Sequence, residues 1–471
     1  MGNFFSSPTV PARRSKRKRN DDSSSEDSAS SSPKRKKLTT TSQYIYRTLF
    51  LEGQNSDVTI VALGIDWRLH KVYLCQTPYF ASMFTGGWKE TEEGIVEIGI
   101  EDPRITPDAL KTVFGALYLD EVVISADDAV PVLATATLFQ MDDLITLCSE
   151  IMEESISLST VLLYYNTALE YGSVCLKKKC CSWLEENLMQ AVNQSPKTLR
   201  NIEVTLMRDL VESPRLVVIQ TEFSLYLLLL VWVYLRNTPA WDGEVKDAVT
   251  EAKRHFKERP ESCTFLETED GEDYTEVFQA LRLENLIIHP QDVEALQEDN
   301  VIPMSMLDPV FRRQWCSMLR VDQGLDLGPR RISEEQFNKF CHRCGRVLTS
   351  DTRNIWRWTG YNFGMDIVVT YQKKVLKFRR NDWNEPEALR LPPSTATRNI
   401  FYRVAIYSIK ASGEATLISD SGIQMLSLAR QMEKKVLVLK NDDVKFPLIV
   451  SASWLTITPP NEDSSAATAS D

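Results

Sequence analysis

Cys341 and Cys344, with His342 and Arg343 between them, are two thiols that could share a zinc ion, because thiolate and imidazole are the ligands zinc prefers. A tetrahedral site takes four ligands, and no second Cys-x-x-Cys or His pair follows, so the segment reads as a packed loop and no metal is expected. The four histidines stand in neither metal nor triad spacing, and the chain has no Gly-rich phosphate loop and no nucleophile elbow. No catalytic residue, no cofactor and no enzymatic activity is therefore expected. Two other chemistries fit the residue types. Met-Gly-Asn-Phe-Phe-Ser matches the N-myristoylation pattern, with Gly2 as acceptor once Met1 is removed and Ser6 where a small hydroxyl residue is wanted. The run from Ile355 to Gly364 places Trp356, Trp358, Tyr361 and Phe363 around Arg357, residue types enriched at binding hot spots, so it reads either as a protein-substrate surface or as the alternating aromatic core of a sheet.

The elements that must carry these groups come from a chain of 471 residues, long enough for roughly three domains. Charge is unevenly spread. Residues 1–40 hold ten basic and four acidic residues for a net +6, so a chain of net −11 carries −17 over the rest. A basic tail on an acidic body argues for a tail with its own address and against a folded domain that grips nucleic acid. Arg13, Arg14, Lys16, Arg17, Lys18 and Arg19, then Lys34, Arg35, Lys36 and Lys37 after a Ser-rich acidic spacer, read as a bipartite nuclear-import signal. The same cluster beside Gly2 supplies the second signal that one weakly binding myristoyl chain needs at a membrane. Acyl group and import signal together point to the nucleus and the inner face of the nuclear envelope, with cytoplasm and plasma membrane as further addresses. Residues 1–40 lack the apolar content to fold and are expected to be disordered, as are 461–471. Nine scattered cysteines fit a reducing compartment. Leu225 to Leu235 is the most membrane-like stretch, but it is too short to span a bilayer and reads as a buried helix.

Residues 41–150 give an α+β pattern. A helix over Tyr44 to Leu51 leads into a strand with Val58 and Ile60 on one face; Trp67 and Leu69 mark a second strand running into a helix, Val96 and Ile98 a third, and helices follow over Pro107 to Tyr118 and Asp127 to Met152. Ser56-Asp57-Val58, Leu69-His70-Lys71, Tyr79-Phe80 and Met83-Phe84 occur in the order of the BTB (POZ) signature, and the segment resembles that family. The resemblance implies a homodimer built mainly through the first helical region and a mixed α/β core containing His70. After the Met-Phe pair, Trp88-Lys89-Glu90 matches the hydrophobic-x-Glu pattern of BTB proteins that recruit cullin-3. An exposed Trp fills a pocket and Glu90 fixes register by hydrogen bonding, whereas the plainer reading has Trp88 packed on its own domain. Phe84 and Tyr118 would flank the same surface by resemblance, or else belong to the core, and Leu119 departs from the small hydroxyl residue often found after that tyrosine.

Residues 151–320 read as paired helices and resemble the BACK region that follows BTB in many adaptors. From 321 to 460 the pattern changes to short β-branched and aromatic runs, Ile367 to Tyr371, Val375 to Phe378, Phe401 to Tyr407, Thr416 to Ile418, Val436 to Leu439, Phe446 to Val450 and Trp454 to Ile457, spaced as in an antiparallel sandwich. The expected architecture is multidomain α+β: disordered N-terminal tail, BTB/POZ α/β domain, BACK-like α-helical region and C-terminal antiparallel β-rich domain. Tyr44-Ile45-Tyr46 with Thr48-Leu49-Phe50-Leu51 before the first strand, and Trp356-Arg357-Trp358-Thr359-Gly360-Tyr361-Asn362-Phe363-Gly364 near the end, resemble the germ cell-less family over most of the chain. That resemblance implies a cullin-3 substrate adaptor at the nuclear envelope, acting in germ-cell formation or gametogenesis, with cullin-3 and a protein to be ubiquitinated as partners. The competing expectation is a nuclear scaffold or transcriptional corepressor that uses its BTB dimer without a cullin.

Overall fold

The computed structural model describes residues 40–85, 94–260, 262–358, 365–381, 397–429, 432–440 and 444–460. The chain divides into two units, Met1–Ile156 with Leu163–Cys180 and Ser157–Leu162 with Cys181–Asp471.

In the first unit, Val58, Ile60 and Ala62 put one face of β1 (Val58–Ala62) into the core, the period of two that a half-buried strand imposes. The chain reverses through Leu63 and Gly64, at φ 50° and 73°, into β2 (Ile65–Leu69). Positive φ at both positions is what a two-residue hairpin needs to match strand twist; Gly64 adopts it freely, while Leu63 is strained by its own Cβ. β3 (Ile95–Ile98) lies parallel to β1 on its other side, giving the order β2-β1-β3. A parallel neighbour requires a crossover, and the intervening residues include the helices Lys71–Leu74 and Pro78–Thr85. Helix Pro107–Ala116 starts where the Thr106 hydroxyl accepts the Ala109 N–H, with Pro107 in its first turn. Its inner face, Leu110, Val113 and Phe114, is fully buried. The ring of Phe139, which follows helix Ala129–Leu138, sits 5.1 Å from that of Phe80 and 5.2 Å from that of Phe114. Helix Asp142–Glu154 adds Cys148 and Met152 to the core.

The second unit joins a helical half to a β-sandwich. Helix Glu222–Asn237 is its axis: from Leu225 to Leu235 every residue except Leu227 is buried, so it is apolar all round because it is covered all round. No described helix is long and apolar enough to cross a membrane. The sandwich is built from β4 (His342–Leu348), β5 (Asn354–Trp358), β6 (Asp366–Gln372), β7 (Val375–Asn381), β8 (Thr397–Ile409), β9 (Ala415–Asp420), β10 (Gln424–Ala429), β11 (Glu433–Val438) and β12 (Leu448–Leu455). One sheet has the order β10-β8-β12-β4, with β9 also on β8; the other has β11-β7-β6-β5. Every pairing in both is antiparallel. Cys344, Val404, Ile406, Val450 and Trp454 of the first sheet share one core with Trp356, Val369, Tyr371 and Phe378 of the second, the interdigitation expected of two packed sheets.

The helices and the β end, expected as domains 151–320 and 321–460, thus lie largely in one unit. β4, expected as a packed loop, is a central contributor: its burial runs almost unbroken from His342 to Gly345, because one face meets the sandwich core and the other meets the helical half. Gly345 marks that close approach. Its backbone exchanges hydrogen bonds of 2.8 and 3.1 Å with Gln220, and a Cβ there would stand 2.3 Å from the Val218 carbonyl oxygen. The runs Phe446 to Val450 and Trp454 to Ile457 enter and leave one strand, β12.

Candidate functional site

The surface expected to meet a cullin is assembled around the one-turn helix Lys71–Leu74. His70 precedes it, and its ring Nε2 lies 2.9 Å from the Gln54 carbonyl oxygen while Nδ1 lies 3.1 Å from the Tyr118 hydroxyl. A carbonyl can only accept, so Nε2 carries the proton, and Nδ1 accepts from the Tyr118 O–H. The same hydroxyl oxygen accepts the backbone N–H of His70 at 3.1 Å, which leaves no polar atom of the pair idle. Tyr73 stacks on the Tyr118 ring at 4.3 Å between centroids, and burial pushes the Tyr118 phenol well above its ordinary value. On the same helix Lys71 sets its ammonium 5.2 Å from the centre of the Phe84 ring, a cation–π contact. Phe84 stacks in turn on Phe80, a turn earlier in helix Pro78–Thr85.

Phe84 and Tyr118 are therefore brought to one short helix, but their side chains are only 8% and 4% exposed. Both sit in the core of the first unit, where they hold the helix and the end of the neighbouring one. Trp88 and Glu90 lie outside the described residues, as do Gly2 and the basic clusters at Arg13, Arg14, Lys16, Arg17, Lys18, Arg19, Lys34, Arg35, Lys36 and Lys37. His70 is structural, as its filled hydrogen-bond set requires.

A feature that residue-type reasoning passed over is the apolar exposure of this unit. Tyr44 is 61% and Ile95 63% exposed, and Leu51 and Ile65 are exposed as well. Ile95 could have been found as the out-facing partner of Val96 in an alternating strand; Tyr44 could not, since nothing local says which face of its helix is covered.

In the second unit the candidate substrate residues divide. Tyr361 and Phe363 lie outside the described residues. Trp356 and Trp358 are 6% and 8% exposed, with rings at right angles and centroids 5.5 Å apart, and Trp358 packs edge-on against Trp454 at 4.7 Å. These two tryptophans are core residues of the sandwich, because β5 and β6 turn that face toward the opposite sheet. Cys341 and Cys344 do not converge on a metal among the described residues, where no group of three potential ligands occurs. Cys341 Sγ accepts from Arg282 Nη1 at 2.9 Å, and Cys344 Sγ donates to the Ala452 carbonyl at 3.4 Å.

The polar centre of this unit lies beside those cysteines and was not anticipated. Glu222, fully buried at the start of its helix, receives Arg343 Nε and Nη2 at 3.1 and 2.5 Å and the backbone N–H of Arg282 at 3.1 Å. Arg343 Nη1 also donates to the Val211 and Ser213 carbonyls, and the Arg282 guanidinium to those of Cys341 and Asn338. Burial alone would raise the Glu222 carboxyl, but the two arginines outweigh it and hold the group below the ordinary carboxylate value. His342, next in the strand, is buried against Trp454 and its imidazole is pushed down to about 4 by that burial.

Comparison with known proteins fits these observations. Residues 46–156 match the BTB/POZ domain model. The chain is 40% identical over 423 residues to human germ cell-less protein-like 1, covering 89% of this chain and 81% of that protein. It is equally 40% identical over 445 residues to the fruit-fly protein germ cell-less (Drosophila melanogaster), covering 89% and 78%. Zebrafish kelch-like protein 26 (Danio rerio) is 28% identical over 144 residues, 30% of this chain and 23% of that one. The chain belongs to the germ cell-less family of BTB-domain proteins.

Proposed function

We propose that the protein is a non-enzymatic substrate adaptor of a cullin-3 ubiquitin ligase, in which the first unit dimerises and binds the cullin while the second binds the protein to be modified. The observation that carries the reading is a BTB domain over residues 46–156 containing Trp88-Lys89-Glu90 three residues beyond the Met83-Phe84 pair. The apolar exposure at Tyr44, Leu51, Ile65 and Ile95 is compatible with dimerisation through this unit. The basic segments with Gly2 support import into the nucleus and acyl anchoring at its envelope, and the family supports a role in germ-cell formation or gametogenesis.

The test is a pull-down of the cullin-3 N-terminal domain by the full chain, native and with Trp88→Ala or Glu90→Ala. Each substitution is expected to weaken capture at least tenfold, by the roughly 2 kcal/mol or more that separates a hot spot from its surroundings, with the circular dichroism spectrum unchanged. A native chain that captures no cullin would leave the scaffold or corepressor reading standing. For the tail, Gly2→Ala is expected to shift the protein from the membrane to the soluble fraction; unchanged fractionation would reject the acyl anchor.

A further inference from the structure

A cavity of about 310 Å³ opens in the second unit between the C-terminal half of helix Val174–Gln194, the segment 157–159, the start of helix Pro196–Arg200 and the β8–β9 turn. Trp183, Asn187 and Gln190 reach it from one face of the long helix, as the spacing i, i+4, i+7 requires. The walls are fixed relative to each other. Asn187 Nδ2 donates to the Trp183 carbonyl at 2.9 Å, and its Oδ1 accepts the Ala415 N–H at 2.7 Å, which ties the turn to the helix. Ala415 is itself buried with Tyr407, Ile449 and Val217 on the outer face of the sheet.

This preformed space is lined by Trp183, Gln190, Ser159, Thr198, Ser412 and Glu414, with the Ser159 and Thr198 hydroxyls bonded to those of Ser157 and Ser195. Glu414 is the charged group among the described lining residues. Its ion-pair partner is Lys410, at 3.7 Å and with its own side chain 59% exposed, a pairing worth little against solvent. The lining therefore offers a carboxylate, an amide and a tryptophan ring to something that brings donors and positive charge. A carboxylate or phosphate would face Glu414, and an apolar group would cover that carboxylate with the exposed Lys410 as its ion-pair partner. A guanidinium fits each feature: its plane stacks on tryptophan, its fork pairs with a carboxylate, and its remaining N–H groups serve amide and hydroxyl oxygens. The volume is at the low end for a ligand pocket, room for one side chain.

We propose that this cavity binds an arginine side chain presented by an extended segment of a partner protein. The net −17 of the chain outside residues 1–40 favours approach of such a basic segment. The inference rests on the reading of this unit as the partner-binding half, but its test involves no cullin, so a failure here and a failure of cullin recruitment are distinguishable.

The probe is N-acetyl-arginine methylamide, titrated into the full chain labelled with 5-fluorotryptophan and followed by fluorine NMR, with the Trp183 resonance assigned by its loss in Trp183→Phe. The arginine probe is expected to move that resonance to saturation, the neutral citrulline analogue to leave it in place, and the lysine analogue to bind at least several-fold more weakly. Glu414→Gln, in an accessible turn, is expected to weaken the arginine probe at least tenfold; Gln190→Met is the second variant, expected to weaken it several-fold with Glu414 intact. Equal response to arginine and citrulline, or undiminished binding in both variants, would overturn the assignment. A probe that binds only after residues 1–39 are deleted would also overturn it, by giving the pocket to the chain's own basic tail.

Discussion

Each unit is organised around a buried polar centre, and the two centres are built on opposite principles. In the first, His70 and Tyr118 are hydrogen-bonded to each other without an ion pair, and His70 Nε2 donates to the Gln54 carbonyl. In the second, Glu222 and Arg343 are ions at 2.5 Å, supported by Arg282. Neutral groups cost little to bury once their hydrogen bonds are made; ions cost several kcal/mol each and return it only through geometry. The first centre can lose a member and leave a neutral orphan. The second cannot lose either ion without leaving a bare buried charge, so it makes the helical half and the sandwich mutually dependent.

The largest effect should come from breaking the charged centre. Glu222→Ala leaves Arg343 and Arg282 buried without their carboxylate and is expected to destabilise the second unit by about 3–5 kcal/mol, read as a fall in the urea midpoint of its unfolding. If Glu222→Ala costs no more than a surface substitution, the comparison fails.

The next prediction uses pH to separate two groups of the second unit. The His342 imidazole, near 6.5 when unfolded, is held at about 4 in the folded chain by burial. A depressed histidine means that the unfolded chain binds the proton first. Stability from this residue is therefore complete above pH 6.5 and is lost as pH falls from 6.5 to about 4, by about 3 kcal/mol. His342→Gln should remove that slope. Glu222, held low in the folded state, loses its contribution only as pH falls below the ordinary carboxylate range, so the two groups act in successive windows.

Why one centre was legible in the sequence and the other was not follows from their construction. His70 stands in a short local pattern, Leu69-His70-Lys71, bordered by a strand and a helix whose periodicities are plain. Most of the first unit was read the same way, from Val58 and Ile60 on one face to the Pro107 helix start. Arg343 pairs with a residue 121 positions away, and no local signal announces such a partner. It even sat inside a segment that suggested a zinc loop. β4 was missed for the same reason: a strand covered on both faces loses the alternation that identifies strands. Trp356 and Trp358 were legible as aromatic but not as buried, because residue type alone does not say which side of a sheet is covered. Glu414 and Trp183 meet at one cavity across more than 200 positions, again beyond any window of local pattern.

A smaller effect is expected at the neutral centre. Tyr118→Phe keeps the ring that stacks on Tyr73 but removes the donor to His70 Nδ1 and the acceptor of its backbone N–H. Two buried polar atoms are left without partners, for a cost of about 2 kcal/mol, measurable by thermal unfolding of the full chain. A cost equal to that of Glu222→Ala would erase the distinction between the two kinds of centre.

The smallest prediction concerns the turn that feeds the first centre. Leu63 holds φ at 50°, a left-handed conformation that a leucine adopts against its own Cβ, whereas asparagine enters it readily. Leu63 is 40% exposed, so little burial is lost on replacing it. Leu63→Asn should therefore stabilise the first unit by about 1 kcal/mol, with no change in the unfolding of the second. A stabilisation that appeared equally in both units would mean that they unfold together, and the separate accounting of their polar centres would have to be given up. A destabilisation would mean that the exposed Leu63 side chain is covered in solution, placing it with Tyr44, Ile65 and Ile95 in the surface that a second copy of the chain occupies.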